Sequence, residues 1–86
     1  LSGMDAYELT DICDKAMKEG KYVYLYHFGI PRNVYPYEIA RNRLYCYCTL
    51  HPDRDVESLI LENITNASVS DTSCEDEYFP FWTTFG

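Results

Sequence analysis

The sequence has no uninterrupted apolar run approaching the ~18 residues that a spanning helix needs, so no segment reads as transmembrane. Basic residues are scarce. Seven Lys and Arg stand against fourteen Asp and Glu, and the net charge of −7 argues against a general nucleic-acid binder or an anionic-membrane binder. At 86 residues the chain is too short for two domains, a TIM barrel or a kinase. There is no G-x-S-x-G elbow and no glycine-rich phosphate loop. No internal repeat is visible. No leader segment is visible either; the chain starts at Leu1 without an initiator Met, and a signal peptide is expected to have been removed or left out.

What is present describes an ordinary globular composition, 47% hydrophobic and 24% charged, read as a single domain over 1–86. Aromatic residues are abundant, with nine Tyr, four Phe and one Trp. Rings bury a large area at little rotamer cost, which suits both a small core and a contact surface.

Four cysteines, Cys13, Cys46, Cys48 and Cys74, are an even count in a short chain. They read as two disulfides in an oxidising compartment. Cys46 and Cys48 share a strand face and do not bond each other easily, so each is expected to reach to Cys13 or Cys74, in either pairing. Two glycosylation sequons, at Asn63 and Asn66, point to the same compartment. Secretion is therefore expected.

Residues 5–19 predict a helix. Asp5 and Glu8 form a D-x-x-E cap, Leu9, Ile12, Cys13, Ala16 and Met17 share a face, and Gly20 is a natural stop. Residues 21–28 predict a strand with Tyr22, Tyr24, Tyr26 and Phe28 on one face and Val23, Leu25 and His27 on the other. Residues 29–36, with two prolines, predict a loop, and Pro36 a short helical turn through Ala40. Residues 43–50 alternate as a second strand; one helix over 36–50 is the competing reading. Asp53 caps an expected second helix over 53–63, whose Val56, Leu59 and Ile60 lie on one side. Residues 65–73 are polar and predict a loop. The expected fold class is α+β, a small disulfide-stabilised helix–strand–strand–helix domain, with a mainly α fold as alternative. The acidic aromatic tail 74–86 is anchored by Cys74.

Charge is uneven along the chain. Residues 21–54 carry five basic and two acidic side chains, whereas residues 55–86 carry seven acidic and no basic ones. The acidic C-terminal third is therefore expected to pack near Arg32, Arg41, Arg43 and Arg54. Within it, Glu75, Asp76 and Glu77 precede Tyr78 and Phe79, a usual context for tyrosine sulfation. Acids steer an encounter and rings such as Phe79 and Trp82 anchor it. This segment resembles the acidic-aromatic tail of hirudin-type thrombin inhibitors. The competing use of these rings, folding back onto a small core, is favoured.

Three other constellations carry candidate chemistry. Cys46, Cys48, Cys13, Cys74, His27 and His51 offer zinc ligands, but their spacing matches no zinc-finger form, and no metal or cofactor is expected. His27, His51, Glu38 and Arg41 contain the parts of acid–base ribonuclease chemistry, a gross similarity to fungal guanyl-specific ribonucleases. Arg32, Arg41 and Arg43 among Tyr35, Tyr37, Tyr45 and Tyr47 form a candidate anion or sulfated-glycan patch, set against an ordinary solvated loop, which is favoured.

In size, acidity, aromatic richness, cysteines and sequons the chain resembles small salivary proteins of blood-feeding arthropods, of the sand-fly anticomplement type; small secreted fungal effectors share these traits. The resemblance implies a secreted, non-enzymatic, monomeric inhibitor that blocks a host plasma protein of complement or coagulation. Binding would run through Glu75, Asp76, Glu77, Tyr78, Phe79 and Trp82. A small ribonuclease-like effector and a small-ligand scavenger with an aromatic pocket are the alternatives.

Overall fold

The structure is a computed structural model in which residues 4–47 and 56–73 are described. Its first element is α1 (Ala6–Glu19). Asp5 caps it, its carboxylate accepting from the Tyr7 backbone N–H at 3.2 Å. Gly20 closes it in the left-handed region (φ 68°), its N–H bonding to Ala16 and Met17 carbonyls. Leu9, Cys13 and Ala16 are fully buried, one turn apart along one stripe.

Five strands follow: β1 (Lys21–His27), β2 (Ile30–Ala40), β3 (Arg43–Tyr47), β4 (Val56–Ile60) and β5 (Ile64–Ser73). A short 3-10 turn, η1 (Leu61–Asn63), joins β4 to β5. All pairings are antiparallel, in the order β4-β3-β2-β1-β5. The β1–β2 and β2–β3 connections are two-residue turns with positive φ at both central residues: Phe28 and Gly29, then Arg41 and Asn42. This is the type I′ pattern, whose twist matches that of the flanking strands.

The sheet is curled rather than flat. β4 and β5 are its two edges, yet only three residues of η1 separate them. Four strand spacings of a flat sheet would span roughly 19 Å, which is more than that link comfortably covers. The hydrogen bonds show how the edges approach. Leu61 N–H donates to Asn42 O at 3.1 Å, and Phe28 N–H donates to Asn63 O at 3.0 Å. Thus η1 touches both hairpin turns, and the two ends of β2 lie close in space. The bend falls in β2. Its first half pairs with β1 up to Val34, its second half pairs with β3 from Tyr35, and the register slips between Pro36 and Glu38. The extra residue, Tyr37, is a β-bulge, the usual device for bending a strand. The result is a partly open antiparallel barrel with α1 lying across β1, β5 and part of β2.

One core fills it. Val23, Leu25, Val34, Leu44, Cys46 and Ile64 from the strands meet Leu9, Cys13 and Ala16 from the helix. Burial of such apolar side chains contributes about 1.5–3 kcal/mol each and dominates the stability of a domain this small.

Four expectations are corrected. The helix–strand–strand–helix order is replaced by one helix and five strands, and a mainly α fold is excluded. Residues 29–36, expected as loop, and the helical turn 36–40 together form β2. The helix expected over 53–63 is β4 plus η1 where described, because Leu59 enters the core from a strand paired with β3 and Leu61 enters it from η1. The loop expected over 65–73 is β5, an edge strand on which Thr65, Asn66, Ser68, Asp71 and Thr72 are exposed and Ser70 is buried. The two-disulfide framework also fails. Cys13 and Cys46 are buried as thiols in the core, and no disulfide occurs among the described residues. A thiol packs as a small apolar group, so the even cysteine count does not require cross-links. Cys48, Cys74 and the tail 74–86 lie outside the described residues.

Candidate functional site

Strand alternation divides the tyrosines from the core. On β1, Val23 and Leu25 are fully buried, while Tyr22, Tyr24 and Tyr26 take the opposite face and are half-buried. On β3, Leu44 and Cys46 point inward, and Arg43, Tyr45 and Tyr47 point outward. On β2, Tyr35 is paired with Tyr47 across the strands, and the bulge places Tyr37 beside the same ring.

Two tyrosine clusters result. On β1, the Tyr24 and Tyr26 rings meet edge-on at 5.7 Å between centroids. The Tyr24 hydroxyl is pushed up from its ordinary pKa by its hydrogen bond with Tyr26, so it remains a phenol at neutral pH. On β2 and β3, Tyr47 lies 6.4 Å from Tyr35 and 5.9 Å from Tyr37. Such tilted pairs hold one another's ring planes and keep the outer faces available for a third ring.

The second cluster borders an open cleft of about 380 Å³ lined by Tyr37, Glu38, Ala40, Arg41 and Tyr45. The volume falls in the range of roughly 300–1,000 Å³ that suits small-molecule sites. Its polar groups are few and of opposite character: one carboxylate, one guanidinium and two phenols. Arg43 stands on the same outward face as Tyr45. Among the described residues Arg32 pairs with Glu57 and Lys21 with Glu19, while neither Arg41 nor Arg43 has an ion-pair partner. Arg41 is also held at φ 54°, a left-handed conformation that costs a non-glycine residue of the order of 1 kcal/mol. A second, more apolar cleft of about 300 Å³ adjoins the first, between α1 and the same turn, with Tyr7, Ile39 and Ala40 in its walls. Arg41 borders both.

Elsewhere, Arg32 forks onto both carboxylate oxygens of Glu57, at 3.1 and 3.2 Å. This pair realises part of the expected attraction between the basic middle and the acidic C-terminal third. Its partial exposure limits it to about 1 kcal/mol or less. His27 lies beside it, and its pKa is lowered by burial and by the Arg32 charge, with Glu57 opposing. The charged groups that act on His27 are therefore Arg32 and Glu57, whereas Glu38 and Arg41 face the tyrosine cleft. The structure does not bring His27 to the carboxylate and guanidinium of the ribonuclease reading, and His51 lies outside the described residues.

Of the other expected site residues, Asn66 is exposed on β5 and adopts φ 54° at a register slip against β1. Asn63 is half-buried in η1, its carbonyl engaged by Phe28. Glu75, Asp76, Glu77, Tyr78, Phe79 and Trp82 lie outside the described residues. No three of His, Cys, Asp and Glu converge as a metal set among the described residues, and none of their helices is long and apolar enough to cross a membrane.

Fold and cleft together define a class: a helix-capped, curled antiparallel sheet carrying an arginine–tyrosine cleft at its second hairpin. In comparisons with protein-family models, with curated proteins and with solved structures, the chain matches none.

Proposed function

We propose that this protein is a non-enzymatic ligand-binding module, and that the cleft at Tyr37, Glu38, Arg41 and Tyr45 takes a planar ring bearing an anionic group. The observation that carries the reading is the pairing of two phenol rings with a guanidinium that has no ion-pair partner among the described residues, in one open cleft. Tyr37 and Tyr45 offer faces for stacking. Arg41 offers a planar fork suited to phosphate or carboxylate, and Arg43 adds a second positive charge. Glu38 accepts a hydrogen bond from a ring amine or N–H. A mononucleotide presents all three features, and so tests the combination.

This reading develops the small-ligand alternative. The inhibitor reading, in which a host plasma protein is engaged through residues 75–82 in a secreted setting, rests on the sequence alone, with two sequons now its main support.

The test is a titration of the full chain followed by NMR shifts, using adenosine monophosphate, adenosine and inorganic phosphate as separate probes. The mononucleotide is expected to saturate and to bind more tightly than either fragment. Arg41→Ala and Tyr45→Ala should each weaken it by roughly 10-fold, about the worth of one charge-assisted contact or one stacked ring. Saturation unaffected by both substitutions, or none with any probe, overturns the assignment.

A further inference from the structure

We infer that the outer face of β1 carries a second binding site, centred on Tyr24, that takes a neutral pyranose sugar. The sugar ring stacks on Tyr24, and its hydroxyls bond to Asn33 on β2 and Asp71 on β5. The site goes beyond the ligand reading above and shares no lining residue with the Arg41 cleft.

Strand register builds the site. Tyr24 pairs with Asn33 on one side and with Ser68 on the other. Directly paired residues present their side chains on one face, so the three stand in a row across β2, β1 and β5. Two strand spacings make that row roughly 10 Å long. Asn33 and Ser68 are exposed and Tyr24 is half-buried. Past Val69 the register breaks. Val23 pairs with Val69 and Lys21 with Ser73, so residues 70–72 oppose Tyr22 alone. A strand with extra residues bends away from its partner. Ser70 fixes the bend: it is buried, and its hydroxyl oxygen accepts from the Thr72 N–H at 3.0 Å. Asp71 between them is exposed. Row and bend border an open cleft of about 340 Å³ lined by Tyr24, Asn33 and residues 68–72.

The lining selects the ligand. Among the described residues no Lys or Arg lines the cleft, and Asp71 is its one charged group, which disfavours phosphates and other anions. One carboxylate without further ligating side chains is no metal set. Hydroxyls, an amide and a carboxylate dominate the walls, which disfavours a lipid. Two register slips interrupt β5, so a peptide strand adding along this edge would meet a broken ladder. A pyranose suits what is left. It has a face of C–H bonds for the Tyr24 ring and a rim of hydroxyls that donate and accept. The Asn33 amide offers both a donor and an acceptor, and the Asp71 carboxylate can accept from two neighbouring hydroxyls. Tyr24 is held for this by its edge-on contact with Tyr26, at 5.7 Å, and by the hydrogen bond between the two phenols. The volume lies near the lower end of the roughly 300–1,000 Å³ range of small-molecule sites, which suits one or two sugar rings.

The test is a titration of the isotope-labelled full chain, read by amide NMR shifts. The probes are methyl β-D-glucopyranoside, methyl β-D-galactopyranoside and sorbitol. At least one pyranoside should saturate, with shifts centred on Tyr24, Asn33 and residues 68–72. Sorbitol, which has the hydroxyls without a ring face, should not. Tyr24→Ala should weaken the pyranoside roughly 10-fold, and Tyr24→Phe, which keeps the ring, should restore it. Asp71→Ala changes an exposed side chain, leaves the fold intact and should also weaken binding roughly 10-fold. Absence of saturation with both pyranosides overturns the inference. So does equal binding of sorbitol, a shift map centred on the Arg41 cleft, or affinity that survives Tyr24→Ala or Asp71→Ala. The two proposals fail separately. Mononucleotide binding without pyranoside binding removes this inference alone, whereas pyranoside binding without mononucleotide binding removes the ligand reading alone.

Discussion

The inner and outer faces of β1–β3 are built from the same residues in alternation, yet they do different work. Inward, Val23, Leu25, Leu44 and Cys46 are fully buried against α1 and one another. Outward, Tyr24, Tyr26, Tyr35, Tyr37 and Tyr47 touch ring to ring and stay partly open. The inner face is fixed by volume, and a missing methylene is felt at once. The outer face is fixed by ring contacts worth about 0.5–1.5 kcal/mol per pair, and it can exchange one neighbour for another. Stability is thus concentrated on one side of each strand, and the proposed ligand site lies on the other.

The sharpest way to break that contrast is a matched pair of substitutions on β1. Leu25→Ala should cost about 2–5 kcal/mol and Tyr26→Ala about 1 kcal/mol, by urea unfolding. Equal costs would mean that the tyrosines belong to the core. Next in size is Cys13→Ser, which puts a hydroxyl into the apolar interior at about 1–3 kcal/mol. Burial pushes the Cys13 thiol far above its ordinary pKa, with the Asp14 carboxylate adding to the effect. It should therefore resist alkylation until the protein unfolds. Rapid alkylation in the native state would place it outside the core.

A smaller effect is expected at the first turn. Phe28 is 69% exposed and held at φ 52°. Phe28→Asn gives the favoured residue pair for this turn and should raise stability by roughly 1 kcal/mol, read as a higher urea midpoint. A loss would show that the Phe28–His27 ring contact outweighs the backbone strain. The smallest effect concerns pH. The pKa of His27 is lowered on folding from an ordinary 6.5. Between the two values the unfolded chain binds more protons, so stability rises with pH there. The contribution is complete above the ordinary value and is lost as pH falls below it. His27→Gln should flatten the decline in urea midpoint on mild acidification; an unchanged decline would assign it to other groups.

Helix α1 was legible because its cap, stripe and stop agree from Asp5 to Gly20. Strands β1 and the described part of β3 were legible because alternation is a local signal. β2 was hidden by Pro31 and Pro36, which read as loop residues. A central strand rarely holds proline, and this one does so as it changes partners from β1 to β3 at the Tyr37 bulge. β4 was hidden because Val56, Leu59 and Ile60 fit a helical stripe as well as a strand, and only pairing with β3 decides between them. β5 looked like a loop because an edge strand with two register slips has few inward positions to fill. The cleft shared this fate. Tyr37, Arg41 and Tyr45 were visible within a wider arginine–tyrosine grouping and Glu38 only within the ribonuclease constellation, and their convergence depends on a bend that no local pattern encodes.

The three residues of η1 also constrain how the protein can assemble. Both two-residue hairpins close through neighbours in sequence, on a scale of about 1–10 μs. The bonds from Leu61 to Asn42 and from Phe28 to Asn63 join positions far apart in the chain, and they need both turns in place. Placing η1 is therefore a non-local event, and the β1–β5 pairing that continues from it, out to Lys21 with Ser73, joins strand positions still farther apart and bears a larger loop-closure entropy. The folding rate should depend chiefly on these closures, which begin at the shortest element of the described residues.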